Sequence, residues 1–201
     1  MIESGLTAGL SHKYKAILIR IPKTATTSIL AEFEITHAKH INWKETYEMD
    51  KDYLHYTKFT VVRNPWDRFV SEYFFSKMLK SYYYDNTYKN DKSHPLYHKF
   101  KNMSFKDVVK DIYNNTELYF KYSHYIPQYK YIYDSNMNLM VDLVLRFESL
   151  EEDIKKINSN IILPKINIGE HLPYNYYYDE ETKNMIGEIY KKDIELLKYE
   201  Y

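Results

Sequence analysis

The sequence has no cysteine in its 201 residues, so neither a disulfide nor a thiolate metal centre is open to it. Long apolar runs are missing too. None approaches the ~18 residues that a membrane-spanning helix needs, and Met1 to Leu10 lacks the basic start and long apolar centre of a secretory signal. The chain as given therefore reads as soluble. Net charge is absent: 28 basic residues balance 28 acidic ones. That balance argues against broad electrostatic binding of nucleic acid, although it leaves room for a local basic cleft. Without a signal, the glycosylation sequons at Asn102 and Asn114 read as chance matches. No linker and no internal repeat divides the chain, and its length suits one domain, residues 1–201, with a substantial core.

Arginine is scarce, present only as Arg20, Arg63, Arg68 and Arg146 in a chain that otherwise takes lysine as its cation. An arginine here suggests a need for the planar guanidinium fork. Tyrosine is plentiful, with 24 residues. Together with the lysine, asparagine and isoleucine content, that excess is consistent with an AT-rich coding sequence.

Two strand-loop-helix signatures organise the chain. The first runs from Ala16 through Pro22-Lys23-Thr24-Ala25-Thr26-Thr27-Ser28 to Leu30, and the second from Lys58 through Arg63-Asn64-Pro65 to Tyr73. Each is a short apolar run, a polar loop with a cation and hydroxyls, and then a helical pattern. Apolar runs of this kind before helices point to buried parallel strands with crossover helices. Ligands of such sheets bind beyond the carboxyl ends of the strands, where both loops would lie. Helix starts together with Lys23 and Arg63 would then form two anion sites, suited to a ligand with two separated phosphates.

These residues resemble the sulfotransferases that use 3'-phosphoadenosine 5'-phosphosulfate (PAPS), in particular the carbohydrate branch of heparan 2-O-sulfotransferases and bacterial relatives. Pro22 to Ser28 is similar to their 5'-phosphosulfate loop, P-K-T-G/A-x-T-S, and Arg63 to Ser71 to their 3'-phosphate motif, R-D/N-P-x-x-R-x-x-S. Pro127-Gln128, the run Leu145 to Asp153 and the tyrosine-rich tail fit the bacterial members, so the resemblance covers about residues 14–201.

The resemblance implies a single P-loop-like α/β domain with a central, mainly parallel sheet flanked by helices. It implies sulfuryl transfer from PAPS to an acceptor hydroxyl, with a carbohydrate as acceptor, and release of adenosine 3',5'-bisphosphate without a metal. Pro22, Lys23, Thr24, Ala25, Thr26, Thr27 and Ser28 would surround the phosphosulfate, with Lys23 stabilising the leaving phosphate. Arg63 and Ser71 would hold the 3'-phosphate, and Arg68 would brace the motif. His40, in His40-Ile41-Asn42-Trp43-Lys44-Glu45, would be the catalytic base, with His37, His55, Glu45 and Glu48 as rivals. Relatives often carry glycine where Ala25 and Thr26 stand; a positive φ at β-branched Thr26 would be strained. Lys165 or His171 would stand in for the late-loop cation of relatives. His124 and Gln128 lie in a family-like stretch, open to either a substrate role or a structural one. Animal carbohydrate sulfotransferases are usually Golgi-anchored; with no anchor here, the expectation is a cytoplasmic bacterial or viral protein.

Two other classes stay open. One is a non-catalytic nucleotide- or glycan-binding module. The other is an atypical nucleotide kinase, disfavoured because the first loop has no glycine where G-x-x-x-x-G-K-S/T requires it.

For the rest of the chain, the patterns predict strands over 16–21, 58–62 and 141–145 and helices over 27–35 and 66–80. Ser104 and Asp179 read as helix caps and Ser149-Leu-Glu-Glu152 as a capping box. Residues 81–100 read as an exposed insertion or lid. Tyrosines 82–84, 88, 174 and 176–178 would stack on sugar or adenine rings, or else pack in the core.

Overall fold

A four-stranded sheet forms where the sequence is most apolar. The computed structural model describes residues 9–35, 40–49, 51–80, 93–166, 169 and 171–201. These divide into two compact units, one of Met1–Arg63 and Pro127–Ile168, the other of Asn64–Ile126 and Gly169–Tyr201.

The first unit holds the sheet, with strands β1 (Leu10–Ser11), β2 (Ala16–Ile19), β3 (Thr57–Val62) and β4 (Leu143–Arg146) in that spatial order. β1 runs antiparallel to β2, while β2, β3 and β4 are mutually parallel. All four residues of β2 are buried, as expected of a parallel strand covered on both faces. One face is filled by Ala16, Leu18, Phe59, Val61 and Leu145, spaced by two along their strands. Ile29 and Leu30 of helix α1 (Thr26–Glu32), with Phe33 at its C-terminal cap, pack on that face. Burying each large apolar side chain there contributes about 1.5–3 kcal/mol relative to exposure. On β3 the buried Thr60 donates its hydroxyl hydrogen bond to the Ile19 carbonyl, 2.8 Å away. Helix α2 (Trp43–Met49) belongs to the same unit.

β1 is too short for periodicity to reveal. It rests on Gly9, which has φ +71° and whose missing Cβ would lie 2.3 Å from the Leu18 carbonyl oxygen. Only glycine fits there.

The second unit is helical and aromatic. Its longer helices are α3 (Pro65–Ser76), α4 (Phe105–Asn114), α5 (Glu180–Ile189) and α6 (Lys191–Leu197). Asn64 caps α3, accepting from the Trp66 and Asp67 amides, and Pro65 fits the first turn because its missing N–H needs no partner there. Ser104 caps α4, and Asp179 with Thr182 forms a full capping box on α5, as the sequence predicts. The final helical stretch breaks at Tyr190, which separates α5 from α6.

Two expectations are corrected. Ser149 makes no cap bond; its hydroxyl donates to the Asp153 carboxylate, which also accepts from the Arg146 amide, and the helix after it is one turn, Leu150–Asp153. Of the stretch expected to be exposed, residues 81–92 lie outside the described residues. In the remainder His94, Leu96 and Phe100 are packed inward, at 1%, 6% and 0% exposure, while Pro95, His98 and Lys99 are exposed.

Candidate active site

Past β2 the chain turns through a loop whose shape is set from within. Thr24 is fully buried and donates its hydroxyl hydrogen bond to the Ile21 carbonyl at 2.9 Å. Its hydroxyl, expected to face a ligand, is thus turned inward. Ser28 is buried on α1, and its Oγ accepts from the Ile166 amide at 3.3 Å. Pro22 is buried as well, whereas Lys23, Ala25 and Thr27 are half-buried. Two residues of the loop are left-handed: Lys23 with φ 69° and Ala25 with φ 61°. Thr26 is not among the positive-φ residues; it opens α1 and carries no such strain. Ala25, in the N-cap position, makes no side-chain bond to the start of α1.

A left-handed alanine costs about 1–2 kcal/mol, of which the greater backbone entropy of an unfolded glycine offsets about 0.5–1. Ala25→Gly is therefore expected to raise the melting temperature by about 2 °C. Thermal unfolding of the variant beside the wild type checks this, and a lowered melting temperature would refute it.

Arg63 follows the last residue of β3 and is buried, with 7% exposure. Its guanidinium lies over the Phe147 ring, 4.0 Å from the centroid, and Nη1 donates to the Lys23 carbonyl at 3.2 Å. The two signature loops are therefore bonded to each other within the first unit, 40 residues apart in sequence. The Arg63 main chain is gripped by Gln128, whose Oε1 accepts from the Arg63 amide at 2.9 Å and whose Nε2 donates to the Arg63 carbonyl at 2.8 Å. Gln128, left open between two roles by the sequence, has a structural one.

His40 joins the same edge. Its Nδ1 lies 3.1 Å from the Arg20 carbonyl, one residue past β2. A carbonyl only accepts, so Nδ1 carries the proton and the lone pair of the neutral ring is on Nε2. Among the rivals, Glu45 is engaged close by in sequence, accepting from the Asn42 amide at 2.8 Å, while Asn42 Oδ1 accepts from the amides of Lys44 and Glu45 at the start of α2. Glu48 and His55 are exposed, and His37 lies outside the described residues.

Most of the other expected residues belong to the second unit. Ser71 is half-buried on α3. Arg68 braces that unit: Nη1 and Nη2 donate to the carbonyls of His124 and Ile126 at 3.2 and 3.0 Å. His171 stacks on Phe74, whereas Lys165, in the first unit, is exposed and pairs with Glu151 at 3.6 Å. Tyr174, Tyr177 and Tyr178 pack against the aromatic core, Tyr176 is exposed, and tyrosines 82–84 and 88 lie outside the described residues.

The sequence gives no sign of a third cluster in the second unit, Glu72, His94 and His124, all buried. His124 Nδ1 is 2.7 Å from one Glu72 oxygen and His94 Nε2 is 3.3 Å from the other. His94 Nδ1 accepts from the Leu96 amide at 3.1 Å, which puts the ring proton on Nε2, the atom facing Glu72. With a proton rather than a lone pair on that atom, the cluster is a triad around a carboxylate, hydrogen-bonded to His124 and in close electrostatic contact with His94. Burial alone would raise the Glu72 pKa, but the His124 charge and hydrogen bond, together with the nearby His94, hold it well below the usual carboxylate range.

At the carboxyl ends of β2 and β3, the first unit thus brings the Lys23 main chain beside the Arg63 guanidinium and the His40 imidazole beside the Arg20 carbonyl. A family model described as Sulfotransferase family matches residues 8–200, and the chain belongs to that family. Neither a curated protein nor a solved structure gives a significant match. Among the described residues, no helix is long and apolar enough to cross a membrane.

Proposed function

We propose that this protein transfers a sulfuryl group from PAPS to an acceptor hydroxyl, with a carbohydrate as the acceptor class. One observation carries the reading: Lys23, Arg63 and His40 converge on one sheet edge, through the Arg63 bond to the Lys23 carbonyl and the His40 bond to the Arg20 carbonyl. The carbohydrate acceptor rests on the likeness of Pro22–Ser28 and Arg63–Ser71 to the heparan 2-O-sulfotransferases.

In this reading, His40 Nε2 takes the proton of the acceptor hydroxyl. The freed oxygen bonds to sulfur as the sulfur-to-phosphate-oxygen bond breaks. Lys23 balances the charge that then develops on the departing 5'-phosphate. Arg63 holds the 3'-phosphate and so selects this donor over ATP. Alignment and fixed charge supply most of the rate, as in phosphoryl transfer.

A thermal-shift titration with adenosine 3',5'-bisphosphate, beside 5'-AMP and magnesium-ATP, tests the donor site. A ligand at a hundred times its Kd adds about 2.7 kcal/mol to stability, about 5–10 °C for a chain of this size. The bisphosphate is expected to give that shift and 5'-AMP much less. A shift with magnesium-ATP alone would favour a kinase. No shift with any of the three, with no single-turnover transfer of labelled sulfate, would favour a module without turnover.

A further inference from the structure

The ladder of β3 ends at Val62, which pairs with Arg146 on β4, and Arg63 lies one residue beyond it. What holds the Arg63 main chain there is a side chain 65 residues away. The primary amide of Gln128 exchanges both of its hydrogen bonds with the amide and carbonyl of Arg63, as one residue of a neighbouring strand would. Gln128 is completely buried and comes directly after the buried Pro127. An apolar side chain of that size would fill the same space. An amide with both ends on one residue does more, because it fixes the orientation of that residue's peptide groups.

The orientation matters because the guanidinium lies at the far end of a flexible side chain. Its position is set by the main chain at one end and by the Phe147 face and the Lys23 carbonyl at the other. We propose that Gln128 is a positioning residue that aims the Arg63 fork and thereby sets the protein's preference for nucleotides bearing a 3'-phosphate. This rests on the donor reading above.

The experiment compares the affinities of adenosine 3',5'-bisphosphate and 5'-AMP for wild type, Gln128→Met, Arg63→Ala and the double variant, by calorimetry below the melting temperature of each. Methionine keeps the volume and removes both hydrogen bonds. The preference for the bisphosphate is expected to fall on the order of tenfold in Gln128→Met, since small misplacements of a charged group have effects of that size or larger. Affinity for 5'-AMP is expected to stay nearly constant, which a general loss of structure would not produce. In the Arg63→Ala background, Gln128→Met is expected to cause no further loss of preference, because it acts through that arginine.

Should the methionine variant not fold, Gln128→Asn, with its amide one methylene short, provides the same comparison. A wild-type preference that survives either substitution, or losses that add in the double variant, would overturn the role of Gln128 alone. Equal binding of the two nucleotides by wild type would overturn the donor reading, and this proposal with it.

Discussion

Lys23→Ala is expected to lower sulfuryl transfer by a hundredfold or more while leaving the fold and most of the bisphosphate affinity in place. The magnitude is that of removing one preorganised group from a developing negative charge, about 10²–10³ in turnover. The fold should survive because the contact that joins the two loops uses the Lys23 carbonyl, which alanine keeps, and the Arg63 guanidinium. Alanine also accepts the left-handed φ of 69° at about the same cost as lysine. Turnover of PAPS, with glycan acceptors or as slow hydrolysis without them, would be measured beside the melting temperature. Activity within threefold of wild type would remove Lys23 from the chemistry. A variant that loses activity only because it melts early would not support it either.

The second large effect concerns stability. Glu72→Ala is expected to destabilise the protein by about 3–5 kcal/mol, because it breaks a buried charge cluster and strands two buried imidazoles. At this chain length that is roughly a 10 °C loss in melting temperature. Glu72→Gln separates charge from shape and should reveal a pH dependence. The folded-state pKa of Glu72 is depressed, so its contribution is complete above the unfolded value of about 4.3 and lost as pH falls below it. The stability gap between wild type and Glu72→Gln should therefore be constant around pH 5–6 and should close as pH falls toward about 2. Thermal melts across that range measure it. A gap that widens in acid would contradict the triad.

What the sequence discloses here follows the range of the forces involved. β2 and β3 were legible because the unbroken apolar run Ala16–Ile19, and the apolar residues Phe59, Val61 and Val62 ahead of a polar loop, leave little choice but a buried strand. The caps at Ser104 and Asp179 are contacts over three residues. At Ser149 the same local logic fails, since Asp153 competes for its hydroxyl and is itself fixed by the Arg146 amide. β1 depends on a glycine meeting the backbone at Leu18.

In the site, Lys23, Arg63 and His40 could be named from spacing and resemblance. Their bonding to one another's surroundings could not, because it spans 20 and 40 residues. The Gln128 clamp and the Glu72–His124 bond lay further from reach, joining residues 65 and 52 apart through individual side chains with no periodic signature. Residues 93–100 misled in the opposite direction. Their polarity suggests exposure, yet His94 is polar because it serves Glu72.

The torsions of the first loop bear on how such proteins are found. Both left-handed positions are filled by residues other than glycine, and Thr24 beneath them holds the turn by a bond to Ile21. A search pattern that insists on glycine reads the easiest chemical solution to a torsion and mistakes it for the requirement. A pattern that asks instead for a short or flexible side chain at position 25, over an inward hydroxyl at 24, would retain chains like this one. The loop is better defined as a conformation than as a string of letters.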